Sequence, residues 1–253
     1  MSPIANATRV AGLTKAYCQL ARAASREPRA RISKLDFVRF YFAWMRSMLA
    51  TETIHAGSPW VTFSAIRFMD RVVSRCSSVF EYGCGGSTLF FSRRVRELVT
   101  VEHDREWLDR TSSAIQPGGD FVWHSHFEPP TSLGRSSLPS RDPDSYGSSA
   151  SEFAGMSFEA YARSIDRYPD DHFDLVLIDG RARPACYKHA VSKVKQGGHI
   201  VLDNAERDEY EFIEQHARTL GYPILDFWGP GPYNKYVWRT IVIQKQGRIT
   251  GGW

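Results

Sequence analysis

From Val79 onward the chain alternates short apolar runs with helical stretches, and no other feature limits its fold as strongly. Residues 79–82, 98–103, 121–125, 173–179 and 198–204 read as strands, with helices expected from about Thr88, after Asp104 and from Pro184. Strands joined by helices make right-handed crossovers, and these give a mainly parallel sheet covered on both faces. A further helix over 208–220, closed by Gly221, leads to a sixth strand at 223–227. Only the Gly/Pro-rich stretch 228–235 then precedes the last strand, 236–244. That connection is too short for a helical crossover, so strand seven is expected to run antiparallel to strand six.

The residues before this body behave differently. The first fifty carry nine Lys and Arg against only Glu27 and Asp36, although the whole chain of 253 residues has a net charge of just +4. A basic arm of this kind suits nucleic acid, an anionic membrane or an acidic partner, and its Arg-, Ser- and Ala-rich composition also resembles an organelle transit peptide. A solvated helical extension explains it equally simply. From Leu35 a helix is expected whose polar stripe, Asp36, Arg39, Ala43 and Arg46, is narrow. Phe37, Phe40, Tyr41, Trp44, Met45, Met48 and Leu49 fill the rest, so this helix must pack on the main domain or form a homodimer contact. Ser58-Pro59 reads as the N-cap and first residue of another helix running to about Arg75. The organisation expected is therefore a helical extension over 1–57, the alternating domain over 58–246 and a tail over 247–253.

Composition removes several classes. Apolar residues at 42% and charged residues at 24% match globular usage and exclude wholesale disorder. The most apolar stretch, 35–50, is too short and too charged to span a bilayer, and no signal-peptide core precedes it. Cys18, Cys76, Cys84 and Cys186 lack C-x-x-C spacing, which argues against a disulfide framework or zinc knuckle and for a reducing, cytoplasm-like compartment. Residues 128–152 contain eight Ser, four Pro and two Gly. Such an insertion leaves from the carboxyl edge of the sheet, where open α/β folds bind ligands, and is expected to be either a mobile cover or a passive loop.

The chemistry concentrates in Phe80-Glu81-Tyr82-Gly83-Cys84-Gly85-Gly86-Ser87-Thr88. A strand ends in an acid and turns through glycines into a helix N-terminus, which admits close ligand approach and presents free N–H groups. Glu102 then ends the next strand, where a carboxylate can accept both hydroxyls of a ribose.

Together, Glu81-x-Gly83-x-Gly85-Gly86-Ser87 and Val101-Glu102-His103-Asp104 resemble the first two motifs of class I S-adenosylmethionine-dependent methyltransferases. Phe173 to Gly180 and Gly197 to Asn204 resemble that family's fourth and fifth strands, and the likeness spans roughly 59–245. It implies a Rossmann-like, doubly wound seven-stranded sheet that binds S-adenosylmethionine. By the resemblance, Glu81 lies near the methionine amino group, Gly83, Gly85 and Ser87 beneath the cofactor, Glu102 and His103 at the ribose, and the turn His124 to His126 beside the adenine. Asp179, Asp203 and Asn204 are similar to the Mg²⁺ site of catechol- and caffeoyl-CoA-type O-methyltransferases, where oxygen ligands suit a hard cation. Asp203 and Asn204 also serve equally well as a strand cap and turn. Where that subfamily often has a lysine base, this chain has Ala182 between Arg181 and Arg183. Arginine stays protonated, so both fit a clamp on an acidic substrate group. His103, His124 and His126 are the candidate bases, with Asp179, Arg181 and His126 expected at the reacting centre. Tyr233, Tyr236 and Trp238 offer stacking surfaces for the acceptor.

The activity expected is methyl transfer to oxygen of a small molecule or glycan, for which the resembling subfamily implies Mg²⁺ assistance. Nucleic-acid methylation through the basic arm is the alternative, although Asp179-Gly180-Arg181 differs from the Asn/Asp-Pro-Pro-aromatic exit of base-modifying enzymes. A nicotinamide-dependent oxidoreductase fits less well, because Gly83-x-Gly85-x-x-Thr88 lacks a third glycine. A non-catalytic cofactor-binding module is the remaining alternative.

Overall fold

The structure is a computed structural model, and it describes residues 3–27, 32–50, 57–116, 119–134 and 138–246. The expected tail over 247–253 lies outside the described residues.

Seven strands form the main sheet: β1 (Ser78–Tyr82), β2 (Glu97–Glu102), β3 (Val122–Phe127), β4 (Phe173–Ile178), β5 (Val194–Leu202), β6 (Ile224–Gly229) and β7 (Trp238–Gln244). Their order is β3-β2-β1-β4-β5-β7-β6. β1 pairs in parallel with β2 and β4, whereas β7 runs antiparallel to both β5 and β6. This is the α/β, doubly wound sheet with an antiparallel last strand that the alternation predicts.

The sheet positions the site. The chain winds outward from β1 through β2 to β3, then returns to β4 on the other side of β1. A crevice opens at the carboxyl ends of β1 and β4, where the winding reverses. Side chains alternate between faces, so Phe80 and Tyr82 enter one core with Val176 and Ile178, while Val79 enters the other with Leu175 and Leu177. Burial on both faces gives each central strand its nearly continuous apolar run.

The helices that flank the crevice are α4 (Gly86–Ser92), α5 (Arg105–Ala114) and α7 (Arg183–Lys193), with the short α6 (Glu159–Arg163) packed on α7. Asp104 caps α5 as expected, with Oδ1 accepting from the Trp107 amide at 3.0 Å. The helix expected from Ser58-Pro59 starts later, because α3 spans Phe63–Val72. The Phe63 amide donates to the Pro230 carbonyl and the Thr62 amide to the Thr240 hydroxyl, so the chain before Phe63 is tied to β7 and the β6–β7 connection. The expected 208–220 helix opens with a 3₁₀ turn, Asp208–Tyr210, before α8 (Glu211–Thr219).

The N-terminal extension folds as α1 (Pro3–Ala24) and α2 (Lys34–Leu49). Tyr17 and Leu20 of α1 pack with Phe40, Trp44 and Met45 of α2 and Phe63 of α3. Trp44 also donates to the Asn234 carbonyl, and the Tyr233 amide donates to the Ser47 hydroxyl. The extension therefore braces the β6–β7 connection. Its outward face shows Leu35, Val38 and Phe42 beside Arg39 and Arg46. No described helix is long and apolar enough to cross a membrane, and all four cysteines are free thiols.

Candidate functional site

The glycine turn after β1 is built by hydrogen bonds that replace those a regular strand or helix would supply. Glu102, 3% exposed at the end of β2, reaches across with Oε2 to accept the Cys84 amide at 2.9 Å. Its Oε1 accepts the His103 and Asp104 amides at 2.7 and 2.9 Å and lies 2.6 Å from His103 Nδ1. Burial alone would raise the Glu102 carboxyl; the His103 ring and these amides outweigh it and hold the group below its ordinary value. An ionised carboxylate thus fixes the turn from one side.

Glu81 acts from beneath. Its Oε1 accepts from the Thr88 and Thr100 hydroxyls, and Thr88 Oγ1 in turn accepts the Gly85 amide at 2.9 Å. The residue is fully buried and its Oε2 has no hydrogen-bond partner. Burial pushes this carboxyl up to about 7 despite the bonds from Thr88 and Thr100. Glu81 does not line the cleft: it faces inward and holds Thr88, which holds Gly85.

Above the turn lies a cleft of about 700 Å³. Gly83, Gly85, Ser87, Glu102 and His103 all line it, as the sequence motifs expect. Gly85 adopts φ +144°, and a side chain there would meet the Trp107 indole at 3.3 Å. Trp107 donates from Nε1 to the Cys84 carbonyl at 2.7 Å, so its ring lies against the turn as one wall.

At the other end of the cleft stand Asp179, Asp203, Asn204 and Arg181. Asp203 is 2% exposed, and its Oδ1 accepts from Trp238 Nε1 at 2.9 Å and the Thr240 hydroxyl at 2.7 Å. Burial and then the Asp179 charge raise the Asp203 carboxyl above its ordinary range; burial raises Asp179 too, against the pull of Arg183. Arg183 is not the exposed clamp expected. It is buried and donates to the carbonyls of Gly180, Asp203 and Asp179 and to Asp179 Oδ1. Its guanidinium ties the ends of β4 and β5 together. Asn204 takes the left-handed conformation, φ +52°, at the turn that follows.

His126 requires correction. Its Nδ1 accepts from Arg167 at 2.9 Å and its Nε2 meets the Tyr168 hydroxyl at 3.1 Å. Burial and the Arg167 charge depress its proton affinity, and it does not line the cleft. His124 is exposed on β3, an edge strand, and does not line the cleft, whereas Trp107 and Asp104 do.

The cleft residues that escaped the sequence include Trp60, Trp107, Glu152, Phe153 and Arg207. Trp60 meets Tyr233 edge-on with centroids 5.4 Å apart, and Arg181 lies over Phe153 at 4.9 Å. The Ser/Pro-rich insertion is part of the wall, because it carries Glu152, and Glu152 Oε1 lies 3.6 Å from Arg181. Trp238 also lines the cleft but is 1% exposed, with its indole held by Asp203.

No protein-family model matches the chain, and no curated protein is similar to it in sequence. Among solved structures, a putative O-methyltransferase from Klebsiella pneumoniae aligns with 83% of this chain and 96% of its own at 16% identity, TM-score 0.52. A protein from Corynebacterium glutamicum aligns with 86% of this chain and 100% of its own at 10% identity, TM-score 0.51. At these identities the likeness is one of fold, and it supports the Rossmann-like architecture with a reversed final strand.

Proposed function

We propose that the chain is an S-adenosylmethionine-dependent methyltransferase acting on an oxygen nucleophile of a small molecule. The observation that carries this reading is the glycine turn held open by Glu102 at the winding switch, facing a cleft whose far end carries carboxylates. The residues fit the cofactor: Gly83 and Gly85 leave a side-chain-free floor, and Glu102, ionised and at the cleft edge, can accept from ribose hydroxyls. When bound, S-adenosylmethionine supplies an electrophilic methyl group on its sulfonium sulfur.

The chain's own residues orient the acceptor and take its proton. Trp60, Tyr233 and Tyr236 give flat surfaces at the mouth, and Arg181 and Arg207 give fixed positive charge. Asp203 serves as the base. Oδ1 is anchored by Trp238 and Thr240, leaving the other oxygen to accept the hydroxyl proton, and because burial and the Asp179 charge raise its proton affinity the competent carboxylate form grows as pH rises.

The proposed transfer needs no Mg²⁺ at this site. The Arg183 guanidinium already stands between the Asp179 and Asp203 ends, and Asp203 Oδ1 is spent on two donors. Among the described residues no group of three His, Cys, Asp or Glu side chains is arranged to hold a metal ion.

Calorimetric titration with S-adenosylhomocysteine and, separately, NADH tests the reading. Heat with the first and none with the second is expected; the reverse pattern makes the protein an oxidoreductase and removes the proposal.

A further inference from the structure

Beside the cleft, and sharing Gly180, Arg181, Arg183 and Arg207 with it, lies a second cavity of about 220 Å³. Its wall holds three arginines together with Ser140, Ser148 and Ser149, and no acidic residue. The volume is too small for a whole drug-sized ligand, whose pockets run to roughly 300–1,000 Å³, but ample for one ionised group and the atoms that attach it.

Its chemistry is one-sided. Arg183 is buried and already held by three carbonyls and by Asp179 Oδ1, so its charge is paired there and Arg181 and Arg207 carry the pocket's open positive charge. Arg181 and Arg207 are half-exposed, and their ion pairs among the described residues are long, 3.6 Å to Glu152 and 3.9 Å to Glu209, with Arg181 also lying over the Phe153 ring. Such contacts are worth little in water, which leaves both guanidinium groups available to a better-placed anion. The floor is the start of α7, an 11-residue helix whose N-cap, Ala182, is left-handed at φ +45° and has no side-chain oxygen to cap the first turn. The roof comes from 147–150 of the insertion, fastened by the Tyr146 carbonyl to the Phe158 amide, by Tyr146 to His189 and by the Lys188–Asp144 ion pair.

We propose that this side pocket seats an oxyanion carried by the methyl acceptor, a phosphate or a carboxylate, with Arg181 and Arg207 as its direct partners. The word acceptor rests on the methyltransferase reading; the oxyanion seat does not. Arg181 and Arg207 line both cavities, so an anion bound in the small one presents the rest of its molecule toward Asp203 in the large one. The acceptor class is then an acidic small molecule, with its ionised group in the side pocket and its body against Trp60 and Tyr233.

The test uses the full chain and the bare ionised groups. Arginine side-chain ¹H–¹⁵N resonances are followed while inorganic phosphate, acetate or sodium chloride is added at matched ionic strength. Saturable shifts with phosphate or acetate and not with chloride are expected, and whichever anion produces them identifies the group. The dissociation constant should rise about tenfold or more in Arg207→Gln and in Arg181→Gln, as loss of a charge-assisted bond implies. No saturable shift, an equal response to chloride, or unchanged affinity in both variants would overturn the proposal. S-Adenosylhomocysteine is titrated into the same samples while the backbone amides of Gly83 and Gly85 are followed. Silence there strikes the methyltransferase reading and leaves the oxyanion seat standing, so the two failures are distinguishable.

Discussion

The buried carboxyl of Glu81 makes the stability of the protein depend on pH in a way that one substitution isolates. Its proton affinity rises from 4.5 to about 7 on folding because burial outweighs the Thr88 and Thr100 hydrogen bonds. A folded-state value above the unfolded one means that the native state binds the proton more tightly, so stability falls as pH rises through this window. Below 4.5 the group is protonated in both states and makes no difference. Between 4.5 and about 7 each pH unit costs about 1.4 kcal/mol, and above 7 the total loss levels off near 3 kcal/mol. Glu81→Gln keeps an oxygen for Thr88 and Thr100 but places an amide where Oε2 has no partner. That adds a cost which does not vary with pH. The readout is therefore the difference between the two proteins' urea-unfolding free energies across pH 4.5 to 8. Asp203 titrates in both proteins and cancels to first order, whereas the Glu81 charge itself raises Asp179, so the Asp179 titration adds to the gap in the same direction. The gap should shift in favour of the variant by about 3 kcal/mol as pH rises, and a gap that stays constant would show that Glu81 is not buried as described.

Three further outcomes follow from the same geometry. Glu102→Ala removes the acceptor of the Cys84 and Asp104 amides and of the proposed ribose hydroxyls, so the affinity for S-adenosylhomocysteine should fall by about 1–3 kcal/mol in calorimetry; an unchanged dissociation constant would remove its role. Gly86→Ala places a Cβ 2.2 Å from the Ser58 carbonyl oxygen and should cost about 1–3 kcal/mol, seen as a lower melting temperature, whereas Gly12→Ala, with nothing within 4 Å, should not lower it. Millimolar Mg²⁺ should leave the melting temperature where EDTA leaves it, and a Mg²⁺-dependent rise lost in Asp203→Asn would restore the metal site.

The parts of this fold written in local sequence were the parts that could be read. The sheet order and its reversed last strand follow from connection lengths, and the β1–α4 turn follows from glycines beside an acid at a strand end. Contacts between distant segments were not legible. Ser58-Pro59 has the form of a helix start, yet the backbone there is tied to Pro230 and Thr240, more than 160 residues away. Arg183 and Arg181 look alike in sequence, and only burial separates a strand tie from a cleft residue. His126 failed because the reach of β3 depends on its edge position and on Arg167, neither of which leaves a local pattern. Glu81 was recognised as part of a motif, but its inward direction depends on Thr88 and Thr100.

The account stands or falls on what occupies the crevice between β1 and β4. A crystal structure grown with S-adenosylhomocysteine measures this directly. Ribose hydroxyls within hydrogen-bond distance of Glu102, the adenosyl group over Gly83 and Gly85, and the sulfur directed toward Asp203 are expected. A ligand bound elsewhere, or a crevice empty of it at saturating concentration, would contradict the central claim.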